Sequence, residues 1–280
     1  MNNNFNTPAE VIEANINGGV KKANLSFVKL ILLGIWAGGF VALGANTSSV
    51  AAHGISNVGL ARTLAGTIFP VGLIMIILIG GELFTGNGLI VMAVLDKKTT
   101  WKKMIRNLFL VYLANLVGSL VIVFLTSFSG QLDYSDGLLG AYTIKVALGK
   151  TGITFLKGVT SGILCNVLVC LAILVAASAR DTVGKIWACF FPIFAFVIGG
   201  FEHCVANMYY IPAGILAASN PAYVSKAAEA YGITADQCAS LNAAGMLNNL
   251  IPVTLGNLIG GIVCVGLMAY AIYIKESHQK

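Results

Sequence analysis

Two short stretches place polar, potentially reactive residues in the middle of membrane-like sequence. Each carries a glycine pair, a glutamate and an asparagine: Glu82 with Asn87 in the first, and Glu202 with Asn207 in the second. Backbone that leaves a helix at membrane depth has no hydrogen-bond partner in lipid, so such breaks are expected inside protein or beside water. The Glu-x4-Asn pattern recurs 120 residues later. Matched breaks in two halves of a chain are typical of a permeation site.

A histidine and a threonine within these stretches are the candidate ion contacts. His203 follows Glu202, and Thr85 lies between Glu82 and Asn87. A buried imidazole donates hydrogen bonds or exchanges a proton near physiological pH, and a threonine hydroxyl donates to an ion or to the ring. The alternatives are a core histidine and a threonine bonded to its own helix. Since half-helix N-termini carry partial positive charge, we predict a small anion as the guest.

The acidic residues and asparagines of the two breaks are predicted to support the broken helix ends. An ionised carboxylate facing the pore would repel an anion. We therefore expect the two glutamates to accept hydrogen bonds from loop amides instead. The supporting residues are Glu82, Asn87, Glu202 and Asn207.

Composition indicates a membrane protein. Of the 280 residues, 57% are hydrophobic, 10% are charged and 32 are glycine, which is unusually apolar for a soluble domain. About 20 apolar residues span a bilayer. The charge-free runs and the two interrupted segments therefore predict six crossings, over about 28–53, 64–95, 105–127, 155–178, 186–217 and 248–274.

Lysine and arginine are unequally shared between the two sets of connections. Twelve lie on the side of both termini and five on the other, which predicts cytoplasmic termini in a plasma (inner) membrane. Topology thus accounts for the +6 net charge, and no nucleic-acid partner is predicted. We predict a cytoplasmic or interfacial helix in residues 1–27, a single transmembrane domain over 28–274, and a cytoplasmic tail, 275–280.

The elements of the first half recur in order in the second. The motif Leu-x-Asn-Leu-x-Gly occurs at 113–118 and 255–260, and the Gly-x3-Gly pair at 34/38 is matched with the pair at 158/162. Each motif alone also recurs by chance on helix-packing faces. Three spans per half require opposite insertion of the halves. We therefore predict two inverted three-helix repeats, each with one broken helix, over about 28–127 and 155–274.

Two longer segments carry a family resemblance. Residues 77–86 read Ile-Leu-Ile-Gly-Gly-Glu-Leu-Phe-Thr-Gly, and residues 162–172 read Gly-Ile-Leu-Cys-Asn-Val-Leu-Val-Cys-Leu-Ala. Both resemble the signature segments of the formate/nitrite transporter family, and the likeness extends through 201–208 and nearly the whole chain. Within that family the chain is most similar to the hydrosulfide branch. The resemblance implies an all-α, aquaporin-like fold of six helices, assembled as a homopentamer in the lipid bilayer with one pore per protomer.

The resemblance also implies roles for individual residues. Thr85 and His203 match the threonine and histidine that face each other at the central constriction. Lys150 and Asn166 match the lysine and asparagine that draw the anion toward the outer vestibule. Five further residues, each of which core packing would also explain, resemble the apolar rings that narrow the pore on its two sides: Phe69, Leu73, Leu83, Phe84 and Phe196.

These residues predict selective permeation of a small monovalent anion of a weak acid, namely hydrosulfide, formate or nitrite. Desolvation among apolar rings raises the pKa of the conjugate acid, so a proton from His203 or from water would lower the barrier. No enzymatic activity, metal or cofactor is predicted. Two alternatives are a neutral-solute pore for water or glycerol, and a membrane oxidoreductase or haem protein. The latter would need more intramembrane ligands than His203 and Cys204.

Overall fold

The computed structural model describes residues 5–274, which are almost entirely helical. The α-helices in chain order are α1 (Pro8–Ala23), α2 (Phe27–Ala52), α3 (Val58–Ile68), α4 (Val71–Ile79), α5 (Phe84–Asn87), α6 (Val91–Leu95), α7 (Trp101–Phe128), α8 (Leu138–Thr151), α9 (Phe155–Ser178), α10 (Thr182–Gly199), α11 (Cys204–Ala217), α12 (Pro221–Tyr231), α13 (Ala235–Ala239), α14 (Ala243–Leu258) and α15 (Met268–Tyr273). A 3-10 turn, Gly88–Ile90, joins α5 to α6, and a π-helical segment, Ile259–Leu267, joins α14 to α15. The predicted tail 275–280, with Lys275 and Lys280, lies outside the described residues.

Six helical stretches among the described residues are long and apolar enough to cross a bilayer. They are Phe27–Ala52, Val58–Ile79, Trp101–Phe128, Phe155–Ser178, Thr182–Gly199 and Ala243–Tyr273. Two shorter apolar helices, Phe84–Leu95 and Cys204–Ala217, continue the second and the fifth stretch beyond a break. The prediction of six transmembrane helices, two of them broken, is confirmed.

Four of the spans begin several residues before the predicted position. In each case a polar side chain accepts a hydrogen bond from a backbone amide of the first turn, and so caps the helix ahead of its apolar run. The capping residues are Asn57, Thr100, Asp181 and Asn242. Hydropathy alone does not register a capping residue, which is why these four predicted spans begin too late.

The breaks are made by glycines in conformations that other residues avoid. Gly80, with φ 105°, ends α4, and Gly200, with φ 69°, ends α10. A side chain at positive φ costs roughly 1–2 kcal/mol. The chain therefore leaves α4 at Gly80 and α10 at Gly200, two glycines at matching positions of the two halves. In each case it enters a short extended loop, before α5 or α11.

Two helices outside the spans occupy matching places at opposite membrane faces. α1 precedes α2 at one face, which we name the α1 face, and α8 precedes α9 at the other, which we name the α8 face. α1 packs on α6, and α8 packs on α11. Thus the second part of each broken span carries a short helix over its outer end.

Large apolar side chains are exposed along the outer sides of the spans. Phe109, Phe124 and Phe128 on α7 and Phe191 on α10 are among the most exposed of them. Water would penalise such a surface, whereas lipid or a neighbouring copy of the chain would cover it. The outer surface agrees with a multi-pass membrane protein.

Candidate functional site

The loop of the first broken span is held by one buried asparagine of α7. The Phe84 N–H donates to Asn115 Oδ1 at 2.9 Å. The Asn115 amide nitrogen donates to the Gly34 carbonyl at 2.7 Å and to the Glu82 carbonyl at 2.9 Å. One side chain therefore satisfies two backbone groups where the loop enters α5 and ties them to α2.

Asn257 of α14 holds the second loop in the same way. The Cys204 N–H donates to Asn257 Oδ1 at 2.9 Å. Its amide nitrogen donates to the Gly162 carbonyl at 2.8 Å and to the Glu202 carbonyl at 3.0 Å. Each of the three Asn115 contacts has a counterpart here, which is the relation expected of an inverted repeat.

This correspondence corrects one part of the predicted match between the two halves of the chain. Asn115 bonds to Gly34, and Asn257 bonds to Gly162, so Gly34 corresponds to Gly162 and not to Gly158. The sequence match of the two Gly-x3-Gly pairs is therefore wrong by one helical turn. The true equivalent of Gly38 is Asn166, whose different side chain hides the relation in the sequence.

A buried ionic cluster lies at the α8-face end of the second loop. Lys150 donates to Glu202 Oε1 at 2.6 Å, and the Asn207 amide donates to Glu202 Oε2 at 2.7 Å. Asn249 accepts from the Asn207 amide at 2.7 Å and donates to the Lys150 carbonyl at 2.9 Å. The carboxylate is thus paired and hydrogen-bonded, as a buried charge requires.

A second cluster of the same composition lies toward the α1 face. The Asn87 amide donates to Glu82 Oε2 at 2.7 Å and to Asn107 Oδ1 at 2.8 Å. Lys22 donates to Asn87 Oδ1 at 2.7 Å, and its ammonium lies 3.4 Å from Glu82 Oε1. Lys22 is equivalent to Lys150, with the same spacing that separates Gly34 from Gly162.

Sequence reasoning missed three members of these clusters: Lys22, Asn107 and Asn249. The signal that would have found Lys22 is the spacing of 128 residues shared by Lys22 with Lys150 and by Gly34 with Gly162. The expected partners of the two glutamates are also wrong. Their carboxylates accept from lysine and asparagine side chains, whereas the loop amides donate to Asn115, Asn257 and Ser161.

Thr85 and His203 meet between the two loops. Thr85 Oγ1 lies 2.9 Å from His203 Nε2, and both residues are buried. His203 is also the N-cap of α11, because its Nδ1 accepts from the Ala206 N–H at 3.0 Å. A ring nitrogen that accepts carries no hydrogen, so the neutral ring bears its proton on Nε2 and donates to Thr85.

Asn166 positions Thr85 through the backbone. Its amide nitrogen donates to the Thr85 carbonyl at 3.1 Å and to the Asn257 carbonyl at 2.6 Å. Both amide hydrogens are therefore used, and none is directed at a passing ion. In a regular helix the Asn257 carbonyl would accept from Gly261, so this contact accompanies the change to π-helix at Ile259–Leu267.

A narrow cavity leads from the central pair toward the α8 face. It has a volume of about 140 Å³ and is lined by His203, Phe69, Phe196 and Lys150 among others. The Phe69 and Phe196 rings meet edge to face with centroids 5.3 Å apart, and Phe196 stacks on His203 at 6.0 Å. Apolar rings thus stand beside the central polar pair.

The narrow cavity opens into a wider one at the α8 face. The wider cavity has a volume of about 680 Å³, and its walls include Arg62, Lys145, Lys150 and Tyr142. A separate cavity of about 190 Å³ at the α1 face is lined by Lys22, Gly86 and Ile90 among others. The central pair therefore has a basic vestibule on one side and a smaller opening on the other.

The remaining apolar candidates lie in the core around these cavities. Leu73, Leu83 and Phe84 are buried. The Phe84 ring packs edge to face on Tyr112 with centroids 4.8 Å apart. Their predicted part in narrowing the pore stays a prediction.

Comparison with known proteins now identifies the fold and its class. The family model described as formate/nitrite transporter matches residues 9–271. The chain belongs to the formate/nitrite transporter family. It is 35% identical to the probable formate transporter of Methanothermobacter thermautotrophicus, over 99% of this chain and 100% of that protein. It is also 35% identical to the formate channel FocA of Escherichia coli K12, over 96% of this chain and 95% of that protein.

Solved structures of the formate/nitrite transporter family have the same fold. A pentameric formate channel with formate bound matches with a TM-score of 0.79 at 35% identity, covering 89% of this chain and 98% of that chain. An FNT family ion channel matches with a TM-score of 0.79 at 27% identity, covering 93% of this chain and 98% of that chain. The family resemblance found in the sequence is confirmed, and these relatives are channels and transporters rather than enzymes.

The loop-holding asparagines provide a first test of the fold. In Asn257→Asp, a carboxylate oxygen would face the Gly162 and Glu202 carbonyls in place of the amide that donates to both. We expect a loss of about 3 kcal/mol in stability, because two buried acceptors lose their donor. The readout is the thermal unfolding temperature of the detergent-solubilised protein.

Asn248→Asp is the matched control for this substitution. Asn248 precedes the buried Asn249 on the same helix, is exposed, and donates to the Thr151 carbonyl at 3.2 Å. The control should unfold within a few degrees of the wild type, because exposed hydrogen bonds contribute little. Equal unfolding temperatures for Asn257→Asp and Asn248→Asp would contradict the loop-holding role.

Proposed function

We propose that the protein is a channel or transporter that passes small monovalent anions of weak acids. The candidate substrates are formate, nitrite and hydrosulfide. The observation that carries the proposal is the Thr85–His203 hydrogen bond of 2.9 Å between the two helix breaks. Formate is the first anion to test, because the relatives named above are a formate transporter and formate channels.

Dehydration of the anion is the main barrier in such a path, and two features lower it. The positive end of the α11 dipole points at the break, and His203 presents an N–H toward Thr85. The first amides of α5 and α11 are already bonded to Asn115 and Asn257, so they do not bind the ion directly. The hydrogen bonds that replace water therefore come from Thr85 and His203.

We further propose that passage is linked to a proton. The apolar Phe69–Phe196 ring pair beside the centre favours the neutral acid over the ion, which raises the pKa of the permeating acid. A second proton on His203 would have to displace the Ala206 amide from Nδ1. Hydronium that reaches the cavity through its water can protonate the anion, leaving a water molecule behind, without opening that helix cap. Proton transfer from a doubly protonated His203 is therefore coupled to loss of the α11 N-cap.

The assembly and orientation are part of the same proposal. We propose a homopentamer with one pore per protomer, as the bound formate channel is described as pentameric. The exposed phenylalanines of α7 and α10 offer apolar surface to lipid or to neighbouring protomers. We place the α1 face in the cytoplasm of a plasma (inner) membrane, because most lysines and arginines lie in its connections.

Uptake by proteoliposomes tests the substrate class. We expect formate, nitrite and hydrosulfide to enter faster than chloride and glycerol. Thr85→Val should slow formate uptake by about tenfold, because it removes one hydrogen bond to the charged ion and keeps the side-chain volume. Thr160→Val is the control, since Thr160 is exposed on α9 and bonds to its own helix. Glycerol uptake at the rate of formate, unchanged in Thr85→Val, would favour a neutral-solute pore instead.

A further inference from the structure

Each helix break leaves a backbone carbonyl without its helical partner. In a continuous helix the Glu202 N–H would donate to the Ile198 carbonyl. The break instead directs that N–H to Ser161 Oγ at 3.0 Å. The Ile198 carbonyl is therefore free to accept from elsewhere at the C-terminal end of the 18-residue helix α10.

An arginine of α3 donates a hydrogen bond to this carbonyl. Arg62 Nη1 donates to the Ile198 oxygen at 3.1 Å. The guanidinium also lies against Gly200, where any side chain would collide with it. A cation at a helix C-terminus offsets the partial negative charge of the last carbonyls. This end of α10 faces the route of the ion, since Gly200 lines both cavities of the α8 face.

Arg62 differs from the other cations of the wide cavity in its surroundings. Lys150 is paired with Glu202 at 2.6 Å, and the Lys145 ammonium lies 4.3 Å from the centre of the Tyr231 ring. Within residues 5–274, no carboxylate lies within ion-pair distance of Arg62. One of its five N–H groups is used by Ile198. Its charge is therefore available to an anion in the cavity.

Within the described residues, the first break, at the end of α4, has no such arrangement. The position equivalent to Arg62, 120 residues further on, is Thr182. The cation thus distinguishes the α8 face from the α1 face, although the loops and clusters of the two halves match.

We propose that Arg62 is an anion-binding residue of the α8-face vestibule. It cancels the negative end of α10 and holds the anion before the Phe69–Phe196 constriction. The inference rests on the proposed anion permeation. It adds Arg62 as an anion contact on the α8-face side of the pore.

The test compares formate uptake by wild type, Arg62→Gln and Arg62→Lys at about 10 mM and about 500 mM salt. Low salt leaves charges unscreened over about 30 Å, and high salt screens them within a few ångströms. We expect Arg62→Gln to reduce uptake by about threefold to tenfold at low salt and little at high salt. Arg62→Lys should retain most of the wild-type rate. The control is Thr63→Val, since exposed Thr63 bonds to its own helix.

A second variant covers the case in which Arg62→Gln fails to assemble. Ala61→Glu places a carboxylate in the wide cavity beside Arg62 while Arg62 itself stays in place. It should slow uptake with the same salt dependence. A wild-type rate for Arg62→Gln at low salt, or an equal loss at both salt concentrations, would overturn the proposal. Formate uptake by wild type at high salt, against empty liposomes, tests the proposed function separately.

Discussion

Replacing His203 by asparagine is expected to reduce formate uptake by about tenfold to a hundredfold while leaving a folded protein. Asparagine is a good N-cap, so its side-chain oxygen can accept from the Ala206 amide as Nδ1 does. Its shorter side chain does not place a donor where Nε2 meets Thr85. Losing a hydrogen bond to a charged group costs about 1.5–3 kcal/mol, which corresponds to this change in rate. Stopped-flow uptake in proteoliposomes measures it.

His203→Ala separates the two parts of this expectation. Alanine removes the N-cap as well as the donor, so it should add about 0.5–2 kcal/mol of destabilisation to the same loss of uptake. Thermal unfolding of the two variants in detergent gives that difference. Uptake by His203→Asn at the wild-type rate would show that the ring does not contact the permeating species.

The path of the chain through the membrane is readable from the sequence for a simple physical reason. Lipid offers no hydrogen bonds, so spans must be apolar and breaks must be polar. Runs without charge therefore marked the helices, and the glycine pairs at 80 and 199 marked the breaks. The positive φ of Gly80 and Gly200 explains why each break includes glycine.

The supporting contacts were harder to predict because they depend on which way side chains point. The family resemblance implies that Asn166 helps to draw the anion, which stays a prediction; its amide nitrogen donates to two backbone carbonyls, a contact pattern that the sequence did not indicate. From the sequence we also expected the two glutamates to accept hydrogen bonds from the loop amides, whereas Asn115 and Asn257 accept those hydrogen bonds. An asparagine donates and accepts equally well in many settings, and its sequence context does not say which partners it meets.

The fourth element of each repeat was hidden for a different reason. α1 and α8 lie outside the spans, so hydropathy gives no cue that they correspond. Their relation follows from Lys22 and Lys150, which reach the two glutamates of the breaks from opposite faces. The π-helical segment at Ile259–Leu267 has no sequence signature either, because it accompanies a contact made by another helix.

Removing the lysine of the α8-face cluster is expected to destabilise the protein strongly. Lys150→Met leaves the Glu202 carboxylate, whose side chain is 8% exposed, without its cation. Breaking one partner of a buried ion pair costs about 3–5 kcal/mol. Lys22→Met is the parallel change at the first break, where the Lys22 ammonium lies 3.4 Å from Glu82 Oε1 and the carboxylate left behind is 6% exposed. The contact is longer and the Lys22 side chain is 37% exposed, so this ion pair is weaker and the loss should be smaller than for Lys150→Met.

The double variant Lys150→Met with Glu202→Gln distinguishes a structural role of the pair from attraction of the anion. Removing both charges eliminates the unpaired carboxylate, so thermal stability should rise well above that of Lys150→Met. The pair has no net charge, and formate uptake should recover with stability if the cluster acts by holding the second loop. Uptake that stays low in a stable double variant would show instead that the Lys150 charge attracts the permeating anion. A double variant no more stable than Lys150→Met would contradict the ion pair itself.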